Sequence, residues 1–366
     1  LLAQDPPSAI SGRFLAKEAG IHPTFVGQCF GPIKNLFECA QEILATQFLG
    51  DYEHGDSLEQ SWTAPMALAK YPDFWRTHVH MVLDEGNAEL TQYHPARHAK
   101  FGISKHHPRM SLDKCAGLAA SWWSLQVGAL VFERPLKQGF GVTTGNQYSV
   151  EQALCQVIDR LIHQKLPSIR PSKLPPEGIQ LPAFEPAKGR KGAEDALLKT
   201  AMKLFCERAA TGVSGRQLSS LANVNYGLIH HYFGSKEAVF DQAFVMLHNH
   251  YVEDLMKVSA NQRNLRLMQH ESFLRGWAAR QLADSELPTI ELKGMVVLLG
   301  LLVDNRQIDA RNNAAMVQAR ADAYAVTAML LGWVLCRRNL SLALETDEVV
   351  LLSYLLPIQK YIQKGH

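Results

Sequence analysis

No CxxC pair occurs among the six cysteines, which sit singly at positions 29, 39, 115, 155, 206 and 336. That scatter suits a reduced, cytoplasmic protein better than a disulfide scaffold, and it offers no metal site. Neither charge dominates: 37 Lys+Arg stand against 35 Asp+Glu, a net charge of +2. Any nucleic-acid site must therefore be a local patch. The apolar stretch Gly294–Val303 is only about 10 residues, half of the about 20 that a bilayer span needs, so no membrane segment is expected. The opening Leu-Leu-Ala-Gln-Asp-Pro-Pro has no basic n-region and does not read as a signal peptide. No nucleotide-binding loop, nucleophile elbow or zinc-protease motif is present, so no enzyme and no cofactor is expected. Composition is ordinary at 47% hydrophobic and 20% charged, which excludes disorder as the main state. The 366 residues suggest about two domains.

The chain contains itself twice. Shifted by 203 residues, Leu1–Leu44 falls on Leu204–Leu247 without a gap. Identities include Ser11/Ser214, Gly12/Gly215, Arg13/Arg216, Leu15/Leu218, Ala19/Ala222, Phe30/Phe233, Gly31/Gly234, Phe37/Phe240 and Ala40/Ala243. Near the end of each copy the match resumes at an offset of 204, pairing Gly128/Gly332, Arg134/Arg338 and Leu136/Leu340. The final helices, Val150–Ile162 and Glu348–Ile362, align near an offset of 197, with a longer loop at Gly139–Tyr148 in the first copy. Between the copies, residues 165–192 hold six of the 17 prolines and read as an extended linker ending in a basic cluster.

The second copy carries helix signals at close spacing. Ala193–Arg208 has apolar residues at helical intervals. Ser214 is a good N-cap for a short helix Gly215–Ala222, and Asn223-Val224-Asn225 forms a turn. Asn225 caps a third helix, Tyr226–Tyr232, which Gly234 stops before Ser235 caps a long fourth helix. Two short helices joined by a tight turn and braced by longer ones make a helix-turn-helix, whose second short helix enters the DNA major groove. Lys236 stands in the first turn of a helix, where the dipole disfavours a cation, and an anionic phosphate would compensate it. Arg216, at the start of the second helix, repeats that arrangement.

Residues 193–240, and above all His230-His231-Tyr232-Phe233-Gly234-Ser235-Lys236-Glu237-Ala238-Val239-Phe240, resemble the DNA-binding domain of the tetracycline-repressor (TetR/AcrR) family. The resemblance implies phosphate contacts from Arg216, His230 and Lys236, groove contacts from Asn225, Tyr226, Gly227 and His231, and a place for Ser214 in the same DNA-binding site. Carried to the first copy it implies Ser11, Arg13, His22, Pro23, Thr24 and Lys34. That copy departs from the pattern. Ile33 replaces the phosphate lysine, Gly27 replaces His230, and only Leu1–Gln4 remain of a first helix.

The fold expected is all-α: two tandem TetR-like units, each a helix-turn-helix domain followed by a helical ligand and dimerisation domain. Their bounds are 1–50 and 51–164, a linker at 165–192, then 193–250 and 251–366. Family members usually act as symmetric dimers. Here Gly117–Arg134 with Val150–Ile162, and Ala321–Arg338 with Glu348–Ile362, are expected to form a four-helix contact, giving an intrachain pseudo-dimer. Assembly beyond it is left open. The partners implied are a double-stranded DNA operator that need not be palindromic and an apolar small-molecule effector that releases a repressor. Effector-pocket candidates are Trp75, Met81 and Trp122 in the first copy and Trp277, Met295 and Met329 in the second. His94, His98, His106 and His107 read as an exposed loop, and His78 with His80 as non-metal. The alternative is a ligand-binding protein or enzyme on a decayed TetR scaffold with little DNA binding.

Overall fold

The computed structural model describes residues 1–53, 67–84, 94–163, 181–185, 187–208, 213–283 and 293–364, and among these it is all-helical, without a strand. Two compact units divide the chain: Leu1–Leu174 with Met295–His366, and Pro175–Gly294. The closing helices of the second copy thus belong to the first copy's unit.

The first unit opens with a 3-10 turn at Pro7–Ala9 and then α1 (Gly12–Glu18), α2 (Pro23–Phe30) and α3 (Ile33–Glu53). Next come α4 (Pro72–Leu83), α5 (Pro95–His106), α6 (Leu112–Val131), α7 (Glu133–Gly139) and α8 (Gln147–His163). Proline at the first helical position begins α2, α4 and α5, where its fixed φ suits a helix start and its missing N–H costs nothing. Ser111 caps α6 by accepting from Lys114 N at 3.3 Å. After α15 (Lys293–Asn305), the chain adds α16 (Asn313–Leu344) and α17 (Glu348–Lys364).

The break between α6 and α7 has an identifiable cause. The two helices meet at 85° around Phe132. Pro135 lacks an N–H, and its ring clashes with the carbonyl four residues back, that of Val131, where α6 ends. Its counterpart at an offset of 204 is Asn339, and there α16 runs unbroken for 32 residues.

Helices α6, α8, α16 and α17 pack crosswise. α6 lies against both α16 and α17, and α16 lies against α8. The small residues Ala119, Ala120, Ala129, Ala325 and Ala328 are all buried there. The backbones of α6 and α16 meet at Gly128 and Gly332. A Cβ on Gly128 would overlap the Ala328 carbonyl oxygen, and one on Gly332 would overlap that of Ser124. Only glycine permits so close an approach. Unlike the short stretch Gly294–Val303, α16 is long and apolar enough to cross a bilayer, but 89% of its apolar window is buried against other helices. Its fully buried Asp322 pairs with Arg306 at 2.7 Å.

The second unit holds α9 (Gly189–Arg208), α10 (Gly215–Leu221), α11 (Gly227–Phe233), α12 (Lys236–Met256), α13 (Ala260–Met268) and α14 (Glu271–Leu282). α9 starts four residues before the predicted Ala193. Part of the basic cluster assigned to the linker therefore sits on the helix, where Arg190 pairs with Glu194 at 2.7 Å and Lys191 with Asp195 at 2.6 Å. These are i,i+4 pairs that favour one further turn. Of the linker, residues 165–180 and 186 lie outside the described residues, and 181–185 are not helical. Phe205 from α9, Phe244 from α12, and Phe273 and Trp277 from α14 form the core, with ring centroids 5.7–6.2 Å apart. Gly276 lets α14 close on α9; a Cβ there would sit 2.6 Å from the Phe205 carbonyl oxygen.

Candidate nucleic-acid interface

α10 and α11 form the helix-turn-helix of the second copy, held by α9 and α12. Ser214 caps α10 by accepting from Gln217 N at 3.1 Å, and Asn223 turns the chain with a left-handed φ of 54°. Asn225 Oδ1 accepts from Gly227 N at 2.9 Å, so this predicted groove residue is engaged at the start of α11, although Tyr226 and not the predicted Asn225 stands at the N-cap. Gly234, at φ 82°, ends α11, and Ser235 caps α12. Helix and cap positions follow local signals, which is why they lie where the sequence places them, with α11 one residue late.

Arg216, Tyr226, Gly227, His230 and His231 are all exposed. The Tyr226 ring lies over Gly215, whose added Cβ would be 2.8 Å from the ring edge, and its hydroxyl meets His230 Nε2 at 3.2 Å. His230 Nδ1 faces the Gly234 carbonyl at 3.0 Å. Lys236 does more than the sequence suggests. Its ammonium donates to the Val213 carbonyl at 3.0 Å and lies 3.2 Å from Glu237 Oε1. One lysine thus ties the start of α12 to the residue before the α10 cap. The backbone N–H groups at the helix start, with Lys236 beside it, hold the Glu237 carboxyl below the usual carboxylate range.

The first copy reproduces this framework closely. α1 and α3 span the same residues as α10 and α12 at an offset of 203. Ser11 caps α1 by accepting from Phe14 N at 3.2 Å. Gly20 and Gly31 hold φ of 67° and 68° where Asn223 and Gly234 stand in the other copy. The chemistry on that frame differs. Ile33, at the Lys236 position, packs into an apolar cluster with Ile10, the Val213 counterpart, together with Phe37 and Met81. Lys34 pairs with Glu38 at 3.4 Å, and Arg13 is exposed. His22 is the N-cap of α2, its Nδ1 accepting from Thr24 N at 3.4 Å and lying 2.7 Å from the Thr24 hydroxyl, with Pro23 following at the first helical position.

Residues 197–243 match the family model of bacterial regulatory proteins, tetR family. The match runs from α9 through the first turns of α12, the whole helix-turn-helix and its braces. That domain is the mark of a DNA-binding transcription regulator. No curated protein matches the chain.

The effector candidates scatter. Trp75, Trp122 and Met329 are buried in the first unit and Trp277 in the second, while Met295 lies against Gly139. Met81 belongs to the apolar core under the first head. Trp277 belongs to the second unit, Met295 and Met329 to the first. The histidine reading needs correction. His98 and His106 lie on the helix α5 rather than in a loop, and His94 is fully buried. His94 Nδ1 caps α5 at Ala96 N, 3.1 Å away, and its Nε2 meets Asn339 Oδ1 at 2.7 Å. Beside it His78 contacts Gln41 at 2.8 Å and packs edge-on to Trp123. Burial holds both imidazoles well below their ordinary pKa, His94 at about 4. Sequence reading missed this polar cluster because its members lie 37 and 245 residues apart.

Proposed function

We propose that the protein is a sequence-specific DNA-binding repressor that a small apolar effector releases, acting in the cytoplasm and not as an enzyme. The observation that carries this reading is the helix-turn-helix at 213–256, matched by the tetR model over 197–243 and repeated in the first copy on the same frame. Ser214, Arg216, His230 and Lys236 hold phosphates. Tyr226 and His231 read base edges, with Asn225 and Gly227 setting the start of α11.

The two heads act as an intrachain pseudo-dimer on one asymmetric operator. The crosswise packing of α6, α8, α16 and α17 supports that arrangement, because each copy's last helix packs on the other copy's central one. Covalent linkage removes the concentration dependence of dimer formation. Effector and head communicate by short routes. In the first copy Met81 of α4 packs on Phe37 of α3. In the second, Arg280 of α14 donates to Asp241 of α12 at 2.6 Å. A ligand that shifts α4 or α14 shifts the long helix bearing the head.

Selection of duplexes from a randomised pool by the full chain tests the reading. It requires recovery of a defined sequence whose affinity falls steeply with salt. Equal retention of all duplexes, or no retention, would overturn it.

A further inference from the structure

The second short helices of the two copies, α2 and α11, offer a base pair different chemistry. Helix α2 reads Pro-Thr-Phe-Val-Gly-Gln-Cys-Phe and carries no charged side chain. Val26 is buried, which fixes the opposite side of the helix outward, and Thr24, Phe25 and Gln28 are all exposed. Gln28 stands three residues from Phe25 and four from Thr24, and so neighbours both on the helix surface. Phe25 is 51% exposed, a large apolar ring presented to solvent near the helix N-terminus, where such a helix meets base edges.

The local hydrogen bonds sharpen this. His22 Nδ1 accepts from Thr24 N, so it carries no proton, and the Thr24 hydroxyl 2.7 Å away donates to it. The Thr24 hydroxyl is thereby engaged within the protein, and what exposed Thr24 has left to offer a base is its methyl. His22 is left with an Nε2–H donor beside the helix start, suited to a phosphate oxygen. A methyl and a phenyl ring complement the C5-methyl of thymine, and a glutamine amide complements the N6 and N7 of adenine. Nothing on α2 supplies the cationic donor that reads guanine most often. The counterparts of Phe25 and Gln28 on α11 are Leu228 and His231, so the second head does not share this preference.

We infer that Thr24, Phe25 and Gln28 make the first head a reader of an A·T half-site, Gln28 on an adenine and Phe25 with Thr24 on thymine methyls. The inference rests on the DNA-binding reading above and specifies it. It accounts for an operator with two unlike halves.

The test uses the full chain and the duplex that selection recovers. One half-site should centre on A·T pairs and the other should differ from it. Replacing thymine by deoxyuracil in that half removes methyls and leaves the protein untouched; affinity should fall about fourfold per contacted methyl. Gln28→Ala should abolish about a 5–150-fold preference for adenine at one position while leaving the other half-site's preferences intact. Insensitivity to deoxyuracil, two identical half-sites, or a required G·C pair at the Gln28 position would overturn the inference. Recovery of a single half-site would also overturn it, and would turn the Phe25 face toward a protein partner. Failure to recover any duplex would instead sink the DNA-binding reading itself.

Discussion

Gly128 of α6 and Gly332 of α16 face each other across a helix crossing with almost no space between backbones. A Cβ on Gly128 would lie 2.9 Å from Gly332 N, and one on Gly332 would lie 2.8 Å from Gly128 N. The two glycines are counterparts at an offset of 204, and so are the residues they overlap, Ser124 and Ala328. Reciprocal contact of this kind is what a two-fold interface makes. Gly128→Val and Gly332→Val should therefore cost similar amounts, about 1–3 kcal/mol or more, because backbone cannot yield as a flexible side chain does. Urea unfolding with an unchanged m-value would measure it. A near-neutral effect at either position would show that the helices separate freely.

The heads were legible in sequence because their determinants are local. Ser11, Ser214 and Ser235 cap helices by accepting from N–H groups three residues on, and Gly31 and Gly234 stop helices through their own φ. What failed to be legible depends on distant pairing. His94 looks like a loop histidine until Asn339, 245 residues later, receives it in the core. The length of α16 was hidden for a related reason. A repeat predicts equal helices, and one substitution, Pro135 against Asn339, breaks only one of them. The Lys236 bond to a carbonyl 23 residues away also leaves no local trace.

That bond gives Lys236 two roles which one substitution can separate. Lys236→Ala removes the tie to Val213 and the proposed phosphate contact together. Lys236→Ile copies Ile33, which packs on Ile10 in the same place. The isoleucine variant should keep the fold, yet bind all DNA sequences more weakly, with the salt slope reduced by about one unit. Titrations at several salt concentrations decide it. Unchanged affinity and slope would confine Lys236 to holding α12 in place.

Tyr226 separates recognition from stability in another way. Its ring rests on Gly215 and its hydroxyl meets His230, both at the surface. Tyr226→Phe keeps the ring and loses an exposed hydrogen bond, so stability should change by less than about 1 kcal/mol. If the hydroxyl reads a base, the preferred sequence should change at one position while total phosphate-driven affinity persists. An unaltered preference from a repeated duplex selection would remove Tyr226 from the reading surface.

Acid should unfold the protein earlier than its carboxylates alone require. His94 is buried neutral, its pKa drawn down to about 4 by loss of solvation, with the Asn339 bond opposing and His98 assisting. His78, in ring contact at 5.2 Å, is lowered by burial and by His94. The unfolded chain gains a proton near pH 6.5 at each site, whereas the folded chain refuses it until about pH 4 at His94. Stability from His94 is thus complete above about pH 6.5 and is lost as the pH falls toward 4. Between pH 7 and pH 5 that single group should account for about 2 kcal/mol. His94→Asn keeps a capping oxygen and removes the titration. The variant should be less stable than the parent at pH 7, having lost the Asn339 contact, and the gap should narrow at pH 5. Denaturant midpoints at the two pH values provide the comparison. A gap that stays constant would mean that His94 keeps the same protonation in the folded and unfolded chain, and that its burial carries no acid sensitivity.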